Sequence, residues 1–216
     1  MAIETPQSEV DVCNLALGHL KQRAIVQLDP PTTDPEVVCA NWYQQVRRST
    51  LRTHPWNFAI KRVEILPDAT YTPEFGFTHA YVKPVDFIRL IGFYEDLGFV
   101  TNRDEFDLEN DYILKDGTDN EAINVRYVSD VTNVGKMDPL FIDLFALNLA
   151  IRMAPQFTGG EARVKTLVAI HKEVKGEATA IDGQERPPRR KQSSGWLRKR
   201  RQGGYSTGPY TKFSSG

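Results

Sequence analysis

The residues of this chain best suited to gripping something are gathered at one end. Between Gly183 and Gly216 stand nine Lys or Arg (Arg186, Arg189, Arg190, Lys191, Arg198, Lys199, Arg200, Arg201 and Lys212) against one acid, Glu185. Trp196, Leu197, Tyr205, Tyr210 and Phe213 are interleaved with them. Clustered guanidinium and ammonium groups suit backbone phosphates, and rings among them suit base stacking. The same set suits an acidic protein surface, with Trp196 as a buried anchor. An exposed Trp within Gly195-Trp196-Leu197-Arg198 argues against a tail that merely keeps the protein in solution. Pro187-Pro188, Gly203-Gly204 and several serines deny the segment a core of its own.

Elsewhere, reactive chemistry is thin. No phosphate-binding Gly-rich loop, HExxH, GxSxG or EF-hand spacing occurs. Cys13, Cys39 and His19 invite the thought of a metal site, but two lone cysteines on helices read better as small buried apolar residues. His171 falls on the apolar stripe of a helix, the place of a core or interface histidine. Glu95/Asp96, Asp104/Glu105 and Asp107/Glu109 are acid pairs in polar, loop-like sequence. A glycosidase needs two carboxylates across a cleft, one with its pKa raised by burial, and these look like a solvated rim instead. The expectation is therefore no enzyme, no cofactor and no metal.

The chain of 216 residues has 27 basic and 28 acidic side chains, so its total charge is near zero. That balance hides an acidic body, Met1 to Asp182, with 18 basic and 27 acidic residues, ahead of the basic arm. A hydrophobic content of 40% gives the body enough material for a core. Met1-Ala2-Ile3-Glu4 lacks the basic and apolar regions of a signal peptide. The longest apolar run, Leu140 to Ala154, is interrupted by Asp143, Asn148 and Arg152, so no membrane span is expected. Two cysteines without a CxxC fit a reducing compartment.

The spacing of apolar residues sets out the supporting elements. Ser8 and Asp11 cap a first helix whose apolar face (Cys13, Ala16, Leu17, Leu20, Ala24) runs to the break at Asp29-Pro30-Pro31. Thr33-Asp34-Pro35-Glu36 starts a second, with Cys39, Trp42, Tyr43, Val46 and Leu51 on one face, ended by His54-Pro55. Arg47, Arg48 and Arg52 lie late in it, as partners of the helix dipole, salt-bridge donors or intersubunit contacts. From Trp56 to Thr132 the period becomes that of strands, roughly five to seven of them, antiparallel. Phe58/Ile60, Phe75/Phe77 and Val125/Tyr127 alternate, and Asp116-Gly117 suggests a hairpin between Tyr112–Leu114 and Ile123–Val128.

Asp138-Pro139 then opens a helix apolar nearly all round, which should be the central one, ended by Pro155. Val164, Leu167, Val168, His171 and Val174 mark a fourth helix, reaching about Ala180. The expected fold is α+β: a bundle of about four helices (1–55 and 135–182) interrupted by an antiparallel β insertion (56–134). An extended basic arm (183–216), disordered when free, follows.

One stretch is more specific than the rest. Arg47 to Arg62, with His54-Pro55-Trp56-Asn57-Phe58-Ala59 at its centre, resembles the helix–sheet join of the tail tubular protein A-like family, the head-to-tail adaptors of short-tailed bacteriophages. Asn14-Leu15-Ala16-Leu17-Gly18 is similar to that family's first-helix motif. Tyr81 to Arg89, with Pro84, Asp86 and Arg89 in place, is similar to a strand motif, although Lys83 stands where an apolar residue is common. Ile123 to Val128 followed by Phe141 to Ala154 is similar to its closing strand and long helix. The resemblance runs from Val10 to Asp182 and leaves the arm out.

It implies a structural virion protein at the head–tail junction, made in the host cytoplasm. Such adaptors form a homo-oligomeric ring, usually dodecameric, between the portal protein and a tail nozzle of the tail tubular protein B kind. Viral DNA passes through the lumen on packaging and ejection without sequence-specific binding, and no membrane is involved. In that setting Trp56 and Phe58, entering the first strand, would wedge the two subdomains at a fixed angle. Asp86 and Arg89 would orient their strand, as a salt bridge or through neighbours. The arm, spanning on the order of 110 Å when extended, would dock on the portal or a neighbouring subunit. Arg189, Arg190, Lys191, Trp196, Leu197, Arg198, Lys199, Arg200, Arg201, Tyr205, Tyr210 and Phe213 would carry that contact. Arg47, Arg52, His54, Pro55, Trp56, Asn57, Phe58, Asp86 and Arg89 would form the subdomain junction. A nucleic-acid-binding module acting through the arm is the alternative, and a tail-associated peptidoglycan hydrolase a more distant one.

Overall fold

Two local hydrogen-bond signals start the first helices of the computed structural model, which describes residues 6–95, 98–100, 106–117, 121–157 and 161–185. In α1 (Glu9–His19) the Asp11 N–H donates to Ser8 Oγ at 3.2 Å and the Ser8 N–H to Asp11 Oδ2 at 3.0 Å, so each end satisfies the other. In α2 (Asp34–Thr53) the Glu36 carboxylate reaches back to the N–H groups of Thr32 and Thr33, at 2.7 and 2.9 Å. These bonds, Thr32 foremost, lower the Glu36 pKa to about 2.

The first helix is shorter than its apolar spacing suggested. It stops at His19, Lys21 adopts a left-handed φ of 56°, and Ala24 is exposed. The chain re-enters the core at Ile25 instead. Asn14 holds that residue by both backbone groups, accepting from the Ile25 N–H at 2.7 Å and donating to its carbonyl at 3.1 Å. A side chain that mimics a backbone partner competes successfully with further helix here.

Among the described residues the β insertion has seven strands in two antiparallel sheets. β1 (Ile60–Ile65), β3 (Phe87–Glu95), β4 (Gly98–Val100) and β7 (Ile123–Ser129) form one, in the order β1-β7-β3-β4. β2 (His79–Val82), β5 (Phe106–Glu109) and β6 (Tyr112–Lys115) form the other, in the order β2-β6-β5. The hairpin expected between Tyr112–Leu114 and Ile123–Val128 does not form. β6 pairs instead with β5 through Asn110-Asp111, with Glu109 opposite Tyr112 and Asn110 at φ 40°. A two-residue loop with Asn in the left-handed region outcompetes a longer connection. β7 is occupied on both sides by β1 and β3. Two further alternations also mislead: Phe58 lies in a 3-10 turn (Asn57–Ala59) before β1, and Phe75 sits 85% exposed in the loop before β2.

α3 (Pro139–Phe157) is the central helix. Asp138 caps it by accepting from the Leu140 and Phe141 N–H groups at 2.8 and 3.3 Å. Phe141, Leu144, Phe145, Leu149, Ala150 and Met153 are all buried against α1 and α2, each large one worth about 1.5–3 kcal/mol of transfer free energy. Pro155 does not end this helix, which continues to Phe157. One turn from the end, proline removes only the bond to the Ile151 carbonyl, a loss smaller than in mid-helix. α4 (Glu161–Gln184) packs by a narrow stripe through Leu167, Val174 and Ala178.

Helices on both sides of the sheets thus close one core, which reaches into the insertion at Ala59, Ile88 and Val128. A second, smaller core (Tyr81, Phe93, Ile113, Ile123, Val125, Tyr127) belongs to the sheets. The fold is α+β, a helical bundle interrupted by antiparallel strands. By its contacts Met1–Gly183 is one unit, and the chain from Gln184 to Gly216 is a second.

Candidate functional site at the helix–sheet junction

The segment leaving α2 makes two kinds of contact. Pro55 biases its predecessor to extended backbone, and His54 accordingly sits at φ −140°, ψ 147°, turning the chain out of the helix. Trp56 is then 1% exposed, with its indole N–H donating to the Thr50 carbonyl at 3.3 Å. Its ring meets Phe141 of α3 edge-on at 5.2 Å, and Phe58 meets the same ring edge-on at 4.9 Å. Phe141 is thereby held from two sides by residues two positions apart. Both rings seat on α3 of the helical core, and a 3-10 turn rather than a strand carries Phe58.

The polar half of the segment clasps α4. His54 Nε2 lies 2.9 Å from Asp182 Oδ2, and the Asn57 N–H donates to Asp182 Oδ1 at 2.7 Å. Asn57 Nδ2 also donates to the Asp182 carbonyl at 2.8 Å. Asp182 is 8% exposed, so both carboxylate oxygens and the carbonyl are satisfied away from bulk water. Sequence reasoning missed Asp182 as a partner. Its signal was an acid continuing the stripe of Val174 and Ala178 at a four-residue step.

On the other flank, Arg47 is 2% exposed and forms an ion pair with Asp130, Nη2 to Oδ1 at 2.9 Å, while its Nη1 donates to the Val131 carbonyl at 3.2 Å. Arg48 approaches the same carboxylate at 3.6 Å. The Asp130 N–H donates to the Asp86 carbonyl at 2.7 Å, and Arg52 Nη1 to the Ile88 carbonyl at 2.6 Å. α2 is therefore tied to the end of β7 and to β3 within one chain. Asn148 of α3 adds a link to α2, donating to Thr50 Oγ1 at 3.0 Å.

Asp86 and Arg89 part company. Asp86 receives Lys61 Nζ at 2.5 Å and the Tyr127 hydroxyl at 2.8 Å. Burial pushes its carboxyl up, but these two donors together outweigh burial and hold it below the usual range. It orients its strand through neighbours, joining β1 and β7. Arg89 makes no ion pair among the described residues. Burial, and then the charge of Arg52, lower its pKa. Arg47, Arg52, His54, Pro55, Trp56, Asn57, Phe58 and Asp86 thus meet at one junction, and Arg89 stands beside it facing another cation.

Cys13 and Cys39 are both 0% exposed, and the Cys39 thiol lies 3.6 Å from the Met153 sulfur. The bond with Cys39, and burial, push the Cys13 thiol up. Among the described residues no three His, Cys, Asp or Glu side chains gather as metal ligands. His171 lies half-buried on α4, with its pKa lowered by burial and then by Lys175. The arm residues Arg189 to Phe213, and the pairs Glu95/Asp96 and Asp104/Glu105 as wholes, lie outside the described residues or side chains. No protein-family model matches the sequence, and no curated protein matches it.

Proposed function

We propose that the chain is a head-to-tail adaptor of a short-tailed bacteriophage: a structural virion protein, not an enzyme. It forms a ring of identical subunits, dodecameric by family resemblance, between a portal protein and a tail nozzle. The helical bundle makes the ring and faces the portal, the β unit projects outward or toward the tail, and DNA passes through the lumen. The basic arm docks on the portal or a neighbouring subunit, where burial of Trp196 and Leu197 offsets the ordering of its backbone.

The observation that carries this reading is the Arg47–Arg62 segment. The stretch that most resembles the adaptor family is also the one whose side chains join α2, α3, α4, β3 and β7. A subunit that must set the tail at a fixed attitude to the head needs such a rigid join between its ring-forming and projecting parts.

The test uses DNA-filled, tailless capsids of the phage that encodes the chain. Full-length protein should add a ring at the portal vertex, visible by cryo-electron microscopy, and the chain stopped after Gly183 should not. Protein that stays in solution removes the adaptor reading, and normal, DNA-retaining incorporation of the shortened chain removes the docking role of the arm. Steeply salt-dependent DNA binding without capture by capsids favours the nucleic-acid module instead.

A further inference from the structure

A groove of about 1060 Å³ opens beside the junction, between the end of α2, the start of β3 and the β5–β6 hairpin. Its walls carry Arg48, Arg52, Lys83 and Arg89. The cations are poorly compensated. Arg89 has no ion-pair partner among the described residues and faces Arg52, which spends a donor on the Ile88 carbonyl. Arg48 is 58% exposed and reaches Asp130 only at 3.6 Å. Lys83 donates to the Asn110 carbonyl at 2.6 Å. Asp107 and Asp111 line the hairpin side, yet neither forms an ion pair with these arginines. Two other depressions among the described residues differ. One of about 650 Å³ between the sheets sets Lys115 against Asp116 and Glu121. In one of about 490 Å³ beside α1, Arg163 is committed to the His19 carbonyl at 3.1 Å.

Apolar side chains mark the groove as well. Val82 is 47% exposed, Val85 fully exposed, and Leu108 40% exposed. Surface of that kind beside arginine is typical of a protein interface, where apolar contact supplies area and Arg anchors it. A single-stranded nucleic acid would want rings to stack on, and Phe87 and Phe106 here are partly buried in the core between the sheets. We infer that this groove is a docking site for a segment of a partner protein in which acidic residues alternate with apolar ones. The carboxylates pair with Arg89 and Arg52, and the apolar side chains cover Val82, Val85 and Leu108. Arg89 has no ion pair among the described residues, so an acidic partner gains from a charge the fold leaves unmatched. The inference stands apart from the adaptor reading.

The experiment uses the full chain and a synthetic peptide alternating Asp and Leu, carrying a benzophenone photo-crosslinker, with a Lys/Leu peptide as control. Because the basic arm also attracts acid, the site of labelling is read by mass spectrometry. The expected result is labelling within residues 82–90 and 106–111 by the Asp/Leu peptide alone. Arg89→Glu and Val85→Glu should each weaken it by about tenfold or more, while labelling of the arm persists. Val85→Glu keeps the test valid if the arginine variant folds poorly, since Val85 is fully exposed. Lys172→Glu on α4 is the charge control and should change nothing. Absence of groove labelling, or equal labelling in both groove variants, overturns the proposal. So does bromouracil-containing DNA crosslinking to residues 82–90 where the peptide does not. Sedimentation showing self-association that Val85→Glu abolishes would assign the groove to a second copy and likewise overturn it.

Discussion

The two flanks of the helix–sheet junction come out opposite. Both carboxylate oxygens and the carbonyl of Asp182 meet partners: His54, the Asn57 backbone and the Asn57 amide. On the other flank, Arg48, Arg52 and Arg89 line one groove, where Arg48 reaches Asp130 only at 3.6 Å and Arg89 has no ion pair among the described residues. The first flank spends its hydrogen-bonding capacity on the fold. The second keeps capacity in reserve, which is what a surface meant for something else does.

The strongest way to break this comparison is Trp56→Ala. It removes the ring that holds Phe141 and opens a cavity under the clasp, so urea unfolding should show a loss of about 3–5 kcal/mol. A loss near zero would mean that the wedge is ornamental. Next comes Asp130→Ala, which strands the buried Arg47 guanidinium. It should cost about 3 kcal/mol or more, while Arg47→Met, which removes the charge with its partner's need, costs distinctly less. The reverse order would sink the view that Asp130 is what holds the buried Arg47 charge. Asp182→Ala should cost about 1–3 kcal/mol, and its signature is local: faster amide exchange in the last turn of α4, with α3 unchanged.

Acid should act through the caps and cross-links. The Glu36 carboxyl is lowered to about 2 in the fold, against an ordinary value of 4.5. A depressed pKa contributes stability above the unfolded value and loses it as pH falls toward the folded one. Melting temperature should therefore decline between about pH 4.5 and 2, and Glu36→Gln should flatten part of that decline. Asp86, also lowered, contributes with the same sign. The smallest effect sharpens the contrast most. Arg89→Gln should change stability by no more than roughly 0.5 kcal/mol, on the stabilising side, because it removes repulsion from Arg52. Clear destabilisation would place Arg89 among the structural arginines.

How much of this was legible in the sequence follows from the range of each interaction. Ser8 with Asp11, Thr33 with Glu36, and Asp138 before Pro139 were readable because both partners sit within one turn. The wedge residues Trp56 and Phe58 were identified by resemblance and by their place between helix and sheet. Their target, Phe141, was visible only as part of a helix apolar on most sides. Strand pairing was less readable: β6 chose β5 because of the left-handed Asn110, a preference that apolar alternation does not report. Asp182 meets Asn57 across 125 residues, and no local pattern encodes such a distance. The resemblance left Asp86 and Arg89 to act as a salt bridge or through neighbours. Lys61 and Tyr127, brought across by β1 and β7, are the neighbours that Asp86 bonds.

The position of the clasp has a mechanical consequence. Asp182 lies two residues before Gln184, where α4 ends. Any tension drawn along the chain from beyond that point meets His54 and Asn57 first, before it can peel the narrow apolar stripe of α4 from the bundle. Force entering there passes into the end of α2, beside the buried ring of Trp56. The last turn of α4 is tied off like a rope at a cleat.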